Sequence, residues 1–248
     1  MLRWLLLLVC TSLPLQPLLA TELLLYTEEW PPLNFTKDGQ VSGYSVELIQ
    51  ALSRRTGDPV RIELVPWTRG YALAQSEPNT GLFSVGRVAA RESLFQWVGP
   101  LISAHDRFYT LKGSPLKITN LDDARSQRLV LPRLWYSLQY LEDLGFKDIY
   151  TVTSPEIMVN MFRNGRSDIL AASDVTLPSV LALGGLTPDD VVAQYSFMEH
   201  GSYLVFSPTT DSAVVARWQA ALQAFKAEGG LKTLYQRWLS HLKVPARD

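Results

Sequence analysis

The sequence predicts an α/β protein made of two units with the same grammar, and three observations carry this. Short apolar strands alternate with amphipathic helices from Leu23 to Phe83 in the order β-α-β-α-β, which calls for a parallel sheet with right-handed crossovers. A second, smaller run of strands and helices follows from Arg128 to Leu183. Hydrophobic residues make up 47% of the chain, enough for a core that stands without crosslinks.

Leu23 to Tyr26 reads as the first strand, stopped by Trp30-Pro31-Pro32. Lys37-Asp38-Gly39-Gln40 is a tight turn with glycine supplying the positive φ. Gly43-Tyr44-Ser45 opens a helix with Ser45 as its cap, Val46, Leu48, Ile49 and Leu52 as its inward stripe, and Gly57 as its stop. Arg61 to Val65 alternates as a strand, Thr68 to Gln75 forms a helix, and the stretch from Gly81 supplies the third strand. Phe95 to Val98 is expected to end at Gly99-Pro100, after which an extended segment runs from Ile102 to Leu111.

The second unit is read as strands at Arg128 to Leu131, Ile149 to Val152 and Asp168 to Ala172. Its helices fall near Ser137 to Leu144, after Ser154-Pro155, and around Leu177 to Leu183. Tyr203 to Phe206 is one more strand. Two C-terminal helices follow, the first capped by Asp211 or Ser212, with Gly229-Gly230 between them.

Residues 1–20 read as a secretory leader, with Arg3 as the basic start, Leu5 to Val9 as the apolar run and Ala20 before the cut. Pro14 and Pro17 interrupt it, so it does not read as a membrane span. Val9 is bulkier than the small residue that lipoprotein processing wants, so Cys10 is taken as part of the discarded run. Cleavage leaves 228 residues with no cysteine, and 22 basic against 24 acidic residues give a formal charge of −2. An exported chain without disulfides must rely on its core. No basic stripe argues for nucleic acid. His105, His200 and His241 lie far apart without metal-ligand spacing, so neither a metal nor a cofactor is expected.

The most informative stretch is Gly81 to Ile102. It brings Ser84, Arg87 and Arg91 to the carboxyl end of a strand, where ligands of open α/β sheets sit. Arginine presents a planar fork that matches a carboxylate or phosphate. Trp30 is presented on a loop at another strand end, as a ligand lid or as a rim residue packed on the prolines. Trp67 and Arg69 begin a helix and line the wall, or else Trp67 packs in the core and Arg69 is a solvated surface charge. Trp135, Tyr136 and Ser137 precede a helix whose free N–H groups can complete an anion site. Glu28, Glu29 and His200 are loose acid–base candidates, and no GxSxG nucleophile motif is present.

The order TEEWPPLNF, DGQVSGYSVELIQAL, RVAARESLFQWVGPL, NGRSDILAAS and GGLKTLYQRWL resembles the bacterial extracellular solute-binding proteins of family 3 over essentially the whole mature chain. The resemblance implies a two-lobed periplasmic-binding-protein-like fold of type II. Lobe one would be residues 21–104 with 206–248, lobe two residues 105–205, with hinges near Ser103 to Phe108 and Glu199 to Val205. It implies a periplasmic monomer that closes on a small carboxylate-bearing solute, an amino acid or relative, and serves an ABC permease. Carried over by position, Arg91 would bind the carboxylate, Ser84 would contact the ligand and Trp30 would stack on it. Arg87 stands where relatives show small hydroxyl residues. The ammonium-binding acid, counted without gaps from Gly165-Arg166-Ser167-Asp168, falls on Ser173, with Asp174 one residue late. Asp168 itself is expected to be structural. A dehydratase-like enzyme and a sensory receptor on the same scaffold are the alternatives.

Overall fold

The computed structural model describes residues 22–133 and 135–242, so the expected leader over residues 1–20, with Cys10, lies outside the described residues. Strand β1 (Leu23–Thr27) leads into the Trp30 loop and a hairpin, β2 (Phe35–Lys37) and β3 (Gln40–Ser42), turned at Asp38-Gly39. Helix α1 (Tyr44–Thr56) starts from Gly43 and not from a Ser45 cap. Gly43 is needed there because a Cβ would lie 2.4 Å from the Leu33 carbonyl oxygen, while Ser45 turns into the core. Strand β4 (Val60–Leu64), helix α2 (Trp67–Ser76) and strand β5 (Thr80–Gly86) complete the first unit. A 3-10 turn at Ala89–Leu94 leads into strand β6 (Gln96–Leu111).

The second unit contains α3 (Leu121–Arg125), β7 (Leu129–Pro132), α4 (Tyr136–Asp143), β8 (Ile149–Val152), α5 (Pro155–Arg163), β9 (Leu170–Ser173) and α6 (Leu177–Ala182). The Ser154 side chain caps α5 as its spacing predicts. Strand β10 (Val191–Phe206) returns the chain to the first unit, where α7 (Ser212–Ala227), capped by Asp211, and α8 (Gly230–Trp238) close the structure. No helix among the described residues is long and apolar enough to cross a membrane.

The central sheet runs β4-β1-β5-β10-β6-β9. Strand β1 is parallel to β4 and β5, as the alternation predicts, and β10 is antiparallel to both β5 and β6. Strands β6 and β10 are each 16 residues long, roughly 50 Å of extended chain. One core gathers Leu25, Leu48, Phe83, Phe206, Trp218 and Tyr235 around α1, α7 and α8. Another gathers Phe108, Leu131, Met158, Phe162, Leu170 and Phe197 around α5. The two long strands pass from one core to the other.

Two expectations are corrected. The strand expected to stop at Gly99-Pro100 continues through it. A register shift between Ser202 and Leu204 on β10 lies opposite and accommodates the residue that has no N–H. Strand β10 begins at Val191, twelve residues before the expected Tyr203 start. Its first part carries apolar residues on both faces, and only Phe197 of residues 191–200 is buried, so it lacks the apolar–polar alternation of a half-buried strand. Hydrogen bonds to β6 hold it extended.

The first core is tied at one edge by Asp58, between α1 and β4. Its carboxylate accepts from Arg217 Nη2 at 2.7 Å, Arg217 Nε at 3.1 Å and the buried Trp218 Nε1 at 2.9 Å. Asp58→Ala leaves Trp218 Nε1 without its acceptor. It should lower the unfolding free energy by roughly 2–3 kcal/mol, the scale of a lost charged hydrogen-bond set, read from urea denaturation.

Candidate functional site

The parallel strands β4, β1 and β5 end on the same side of the sheet, and the loops that follow them carry Trp67, Trp30 and Arg91. Ser84, near the end of β5, holds φ at 65°, a left-handed value that a non-glycine residue adopts at a cost. Its hydroxyl donates to Asn34 Oδ1 at 2.5 Å and lies 3.2 Å from Ser45 Oγ. Asn34 in turn accepts from the Trp30 N–H at 2.6 Å and donates through Nδ2 to the Glu28 carbonyl. The strained serine therefore fixes the loop on which Trp30 stands. Burial on that loop pushes the Glu28 carboxyl above its ordinary range.

The arginines are placed differently from one another. Arg91 lays its guanidinium over the rings of Trp67, at 5.2 Å, and Tyr71, at 5.6 Å, and donates to the Gly86 carbonyl at 3.2 Å. It makes no ion pair with a described residue. Arg87 pairs with Glu92, its Nε at 2.9 Å, and lies over Trp97 and Tyr203. That pairing raises the Arg87 pKa and lowers that of Glu92. Trp67, half-buried against Tyr71, is thus the shelf on which Arg91 rests.

Between the two cores lies a cavity of about 20 Å³ lined by Trp30, Asp106, Trp135, Tyr136, Ser137, Ala172, Ser173 and Thr176. Trp30 from the first unit meets Trp135 from the second, with ring centroids 6.3 Å apart and planes tilted by 58°. This space admits one water-sized group. Of the residues singled out from sequence, the cavity brings together Trp30, Trp135, Tyr136, Ser137 and Ser173. Its lining does not include Ser84, Arg87, Arg91, Trp67 or Asp174.

Asp174 is held to β6 instead. Its Oδ1 accepts from the His105 N–H at 3.0 Å, and its Oδ2 lies 3.5 Å from His105 Nδ1 and 3.8 Å from Arg107 Nε. Asp168 accepts from Arg128 Nη2 at 2.6 Å and Nε at 2.9 Å, a strand-start clamp.

Sequence reasoning missed Asp106 and Thr176. Asp106 is 2% exposed on β6, between the inward positions of Ala104 and Phe108. An acid at an inward position of an alternating strand is the signal that marks it. Beside it, Tyr136 Oη lies 2.7 Å from His200 Nε2. The phenol is pushed well above its ordinary value, first by burial of the hydroxyl end and then by the negative charge of Asp106. No cluster of three or more metal-ligating side chains occurs among the described residues.

A family model for bacterial extracellular solute-binding proteins, family 3, matches residues 24–241. The chain belongs to this family.

No curated protein matches this family-3 chain at a significant level. Among solved structures, a histidine kinase sensor domain similar to periplasmic binding proteins superposes with a TM-score of 0.73 at 20% identity, covering 88% of this chain and 95% of its own. ArtJ, the arginine-, lysine-, histidine-binding protein of Geobacillus stearothermophilus, gives 0.71 at 16% identity over 91% of this chain and 97% of its own. The ancestral amino-acid-binding protein AncCDT-1, a precursor of cyclohexadienyl dehydratase, gives 0.68 at 18% over 88% and 94%. These likenesses speak for the fold, the two-lobed α/β architecture of periplasmic binding proteins.

Two outcomes follow for the Trp30 loop of this family-3 protein. Ser84→Ala keeps the strained backbone and removes the donor to Asn34, whereas Ser84→Gly loses the same bond but relieves the strain. Both should destabilise, with the glycine variant more stable than the alanine variant by about 1 kcal/mol in urea denaturation. For Glu28, the folded state keeps its proton to a higher pH than the unfolded state does, so stability falls as pH rises from about 4.3 through the raised folded value. Glu28→Gln should therefore match the parent near pH 3 and exceed its melting temperature near pH 7.

Proposed function

We propose that this chain is a periplasmic receptor that captures a small carboxylate-bearing solute, an amino acid or a relative of one, and presents it to the permease of an ABC importer. The observation that carries the reading is the aromatic-walled cavity beside Asp106 of β6, with Trp30 from one core facing Trp135 from the other. In this reading residues 21–104 with 206–248 form one lobe and residues 105–205 the other. The leader over residues 1–20 delivers the chain to the periplasm, where it works as a monomer.

Closure supplies the mechanism. A solute that touches both lobes binds the closed arrangement better than the open one and shifts the population toward it. Arg91 is the proposed carboxylate clamp. It carries a charge that no described acid neutralises, and its present partner is a single carbonyl that a carboxylate can replace. Its aromatic shelf keeps the fork oriented, so little order is lost on binding. Trp30, held by the Ser84–Asn34 bond, covers the apolar part of the solute. The proposed activity is binding without turnover.

Calorimetric titration of the mature chain with amino acids and small organic acids tests this reading. A carboxylate-bearing solute should bind, and Arg91→Ala should weaken it by about tenfold or more while leaving the melt of the solute-free protein near normal. Full affinity in the variant would remove Arg91 as the clamp. Turnover of prephenate or arogenate would replace the receptor with an enzyme.

A further inference from the structure

The chain has three histidines, and all three gather on the stretch where the two cores join. His105 stands on β6, His200 on β10, and His241 beyond α8, its Nε2 3.2 Å from the Asp174 carbonyl oxygen. Strand alternation puts His105 and His200 on opposite faces of the β6–β10 ladder, and each faces acid. On one face His105 Nδ1 lies 3.5 Å from Asp174 Oδ2 and its Nε2 3.9 Å from Glu199 Oε2, with Arg107 as the cation beside Asp174. On the other, His200 Nε2 lies 2.7 Å from Tyr136 Oη and 3.5 Å from Asp106 Oδ1.

The two faces respond differently to a proton. His105, Arg107 and Glu199 belong to the ladder itself, and Asp174 is bonded to the His105 backbone, so a charge on His105 acts within the ladder. At His241 a neutral Nε2–H donates to the carbonyl as a charged one does. His200 reaches out of the ladder to Tyr136, at the start of α4. The Tyr136 phenol is hydrogen-bonded to the Asp106 side chain as well. A phenol has one hydrogen, and when Asp106 takes it, the hydrogen that bridges to His200 is on Nε2. A further proton then goes to Nδ1, and the imidazolium stands 3.5 Å from the buried carboxylate. Hydrogen bonds from a charged donor are roughly twice as strong as neutral ones, and enclosure strengthens such chains. Asp106 is the charged group that faces His200, and Asp174 acts on the Tyr136 phenol from farther off. The His200 side chain remains 23% exposed, so it exchanges protons with solvent.

Tyr136 directly follows Trp135, which is the second unit's half of the tryptophan contact. We propose that His200 is a proton-operated latch on the junction: its protonation ties Tyr136 to the ladder, presents Trp135 to Trp30, and so favours the arrangement in which the two units meet. Histidine ordinarily titrates near pH 6.5. The tied arrangement holds the added proton better than the parted one, so it is favoured below that range and loosened as pH rises through it. The latch rests on the closure reading but needs no particular solute.

Residues 21–248 contain no cysteine, so spin labels on Ser76→Cys in α2 and Asn164→Cys beyond α5, both exposed, report the distance between the units. Pulsed dipolar spectroscopy of the labelled mature chain without solute should show the ratio of short to long distances growing by about threefold or more from about pH 8 to about pH 6. His200→Gln, which offers an N–H but takes no proton, should lose that growth. Tyr136→Phe, which keeps the ring and removes the hydroxyl, should lose it too, whereas His105→Gln should keep it. A parental ratio that does not move with pH would overturn the latch. So would a full response in either His200→Gln or Tyr136→Phe, or loss of the response in His105→Gln. If one of the first two variants melts too low to label, the other decides. The same labels are then read at constant pH with amino acids and small organic acids. A distance that shortens with a solute but not with acid overturns the latch and leaves the receptor standing, and a distance fixed under both overturns latch and closure together.

Discussion

Strands β6 and β10 pair from Gln96 opposite Phe206 to Leu111 opposite Val191, and that one antiparallel ladder is what everything else hangs from. Each core packs on one end of it, and neither core covers its middle. The middle is therefore where polar residues are tolerated: His105 and Asp106 on β6, Glu199 and His200 on β10. The pair runs without a third strand at Ser103 to His105, opposite Glu199 to Gly201, because β5 pairs β10 as far as Ser202 and β9 pairs β6 from Asp106. That stretch joins the two cores and carries ionisable groups on both strands.

The place of Trp30 in the cavity lining depends on a small set of hydrogen bonds around a strained residue. Ser84 occupies a conformation that glycine would adopt freely, yet a serine stands there because its hydroxyl holds Asn34. Asn34 pairs with the backbone of Trp30, so the strain at the end of β5 is linked to the position of the indole. Strain of this kind persists where the surrounding structure over-determines it, and it collects at sites that must be pre-organised.

Charge is laid out across the site with its signs apart. Arg91 sits on a Trp67–Tyr71 shelf in the first lobe, with its guanidinium unmatched by any described acid. Asp106 lies on β6 in the cavity lining, with His200 Nε2 3.5 Å from its Oδ1. The remaining charges nearby are already paired: Arg87 with Glu92, Asp174 with His105 and Arg107, Asp168 with Arg128. In the proposed reading the unmatched Arg91 is the group a carboxylate would meet, whereas the paired groups contribute rigidity.

Sequence by itself determined the elements whose causes are local. Strand β8 followed from its apolar run, α5 from Ser154-Pro155, α7 from Asp211, and the end of α1 from Gly57, because caps, turns and periodicity act over a few residues. The parallel arrangement of β4, β1 and β5 was legible for the same reason, and so was the presence of Trp30 and Arg91 at strand ends. Tertiary structure decided what depends on partners distant in the chain. The first half of β10 is a strand because β6 lies beside it, and Ser45 faces Ser84 because Gly43 lets the helix begin against Leu33. The Arg91 side chain follows the rings of Trp67 and Tyr71, and Asp106 is a buried acid in a lining that it shares with Trp30, Trp135 and Tyr136. A side chain's chemistry is written in the chain, but its burial and its neighbours are properties of the packed molecule.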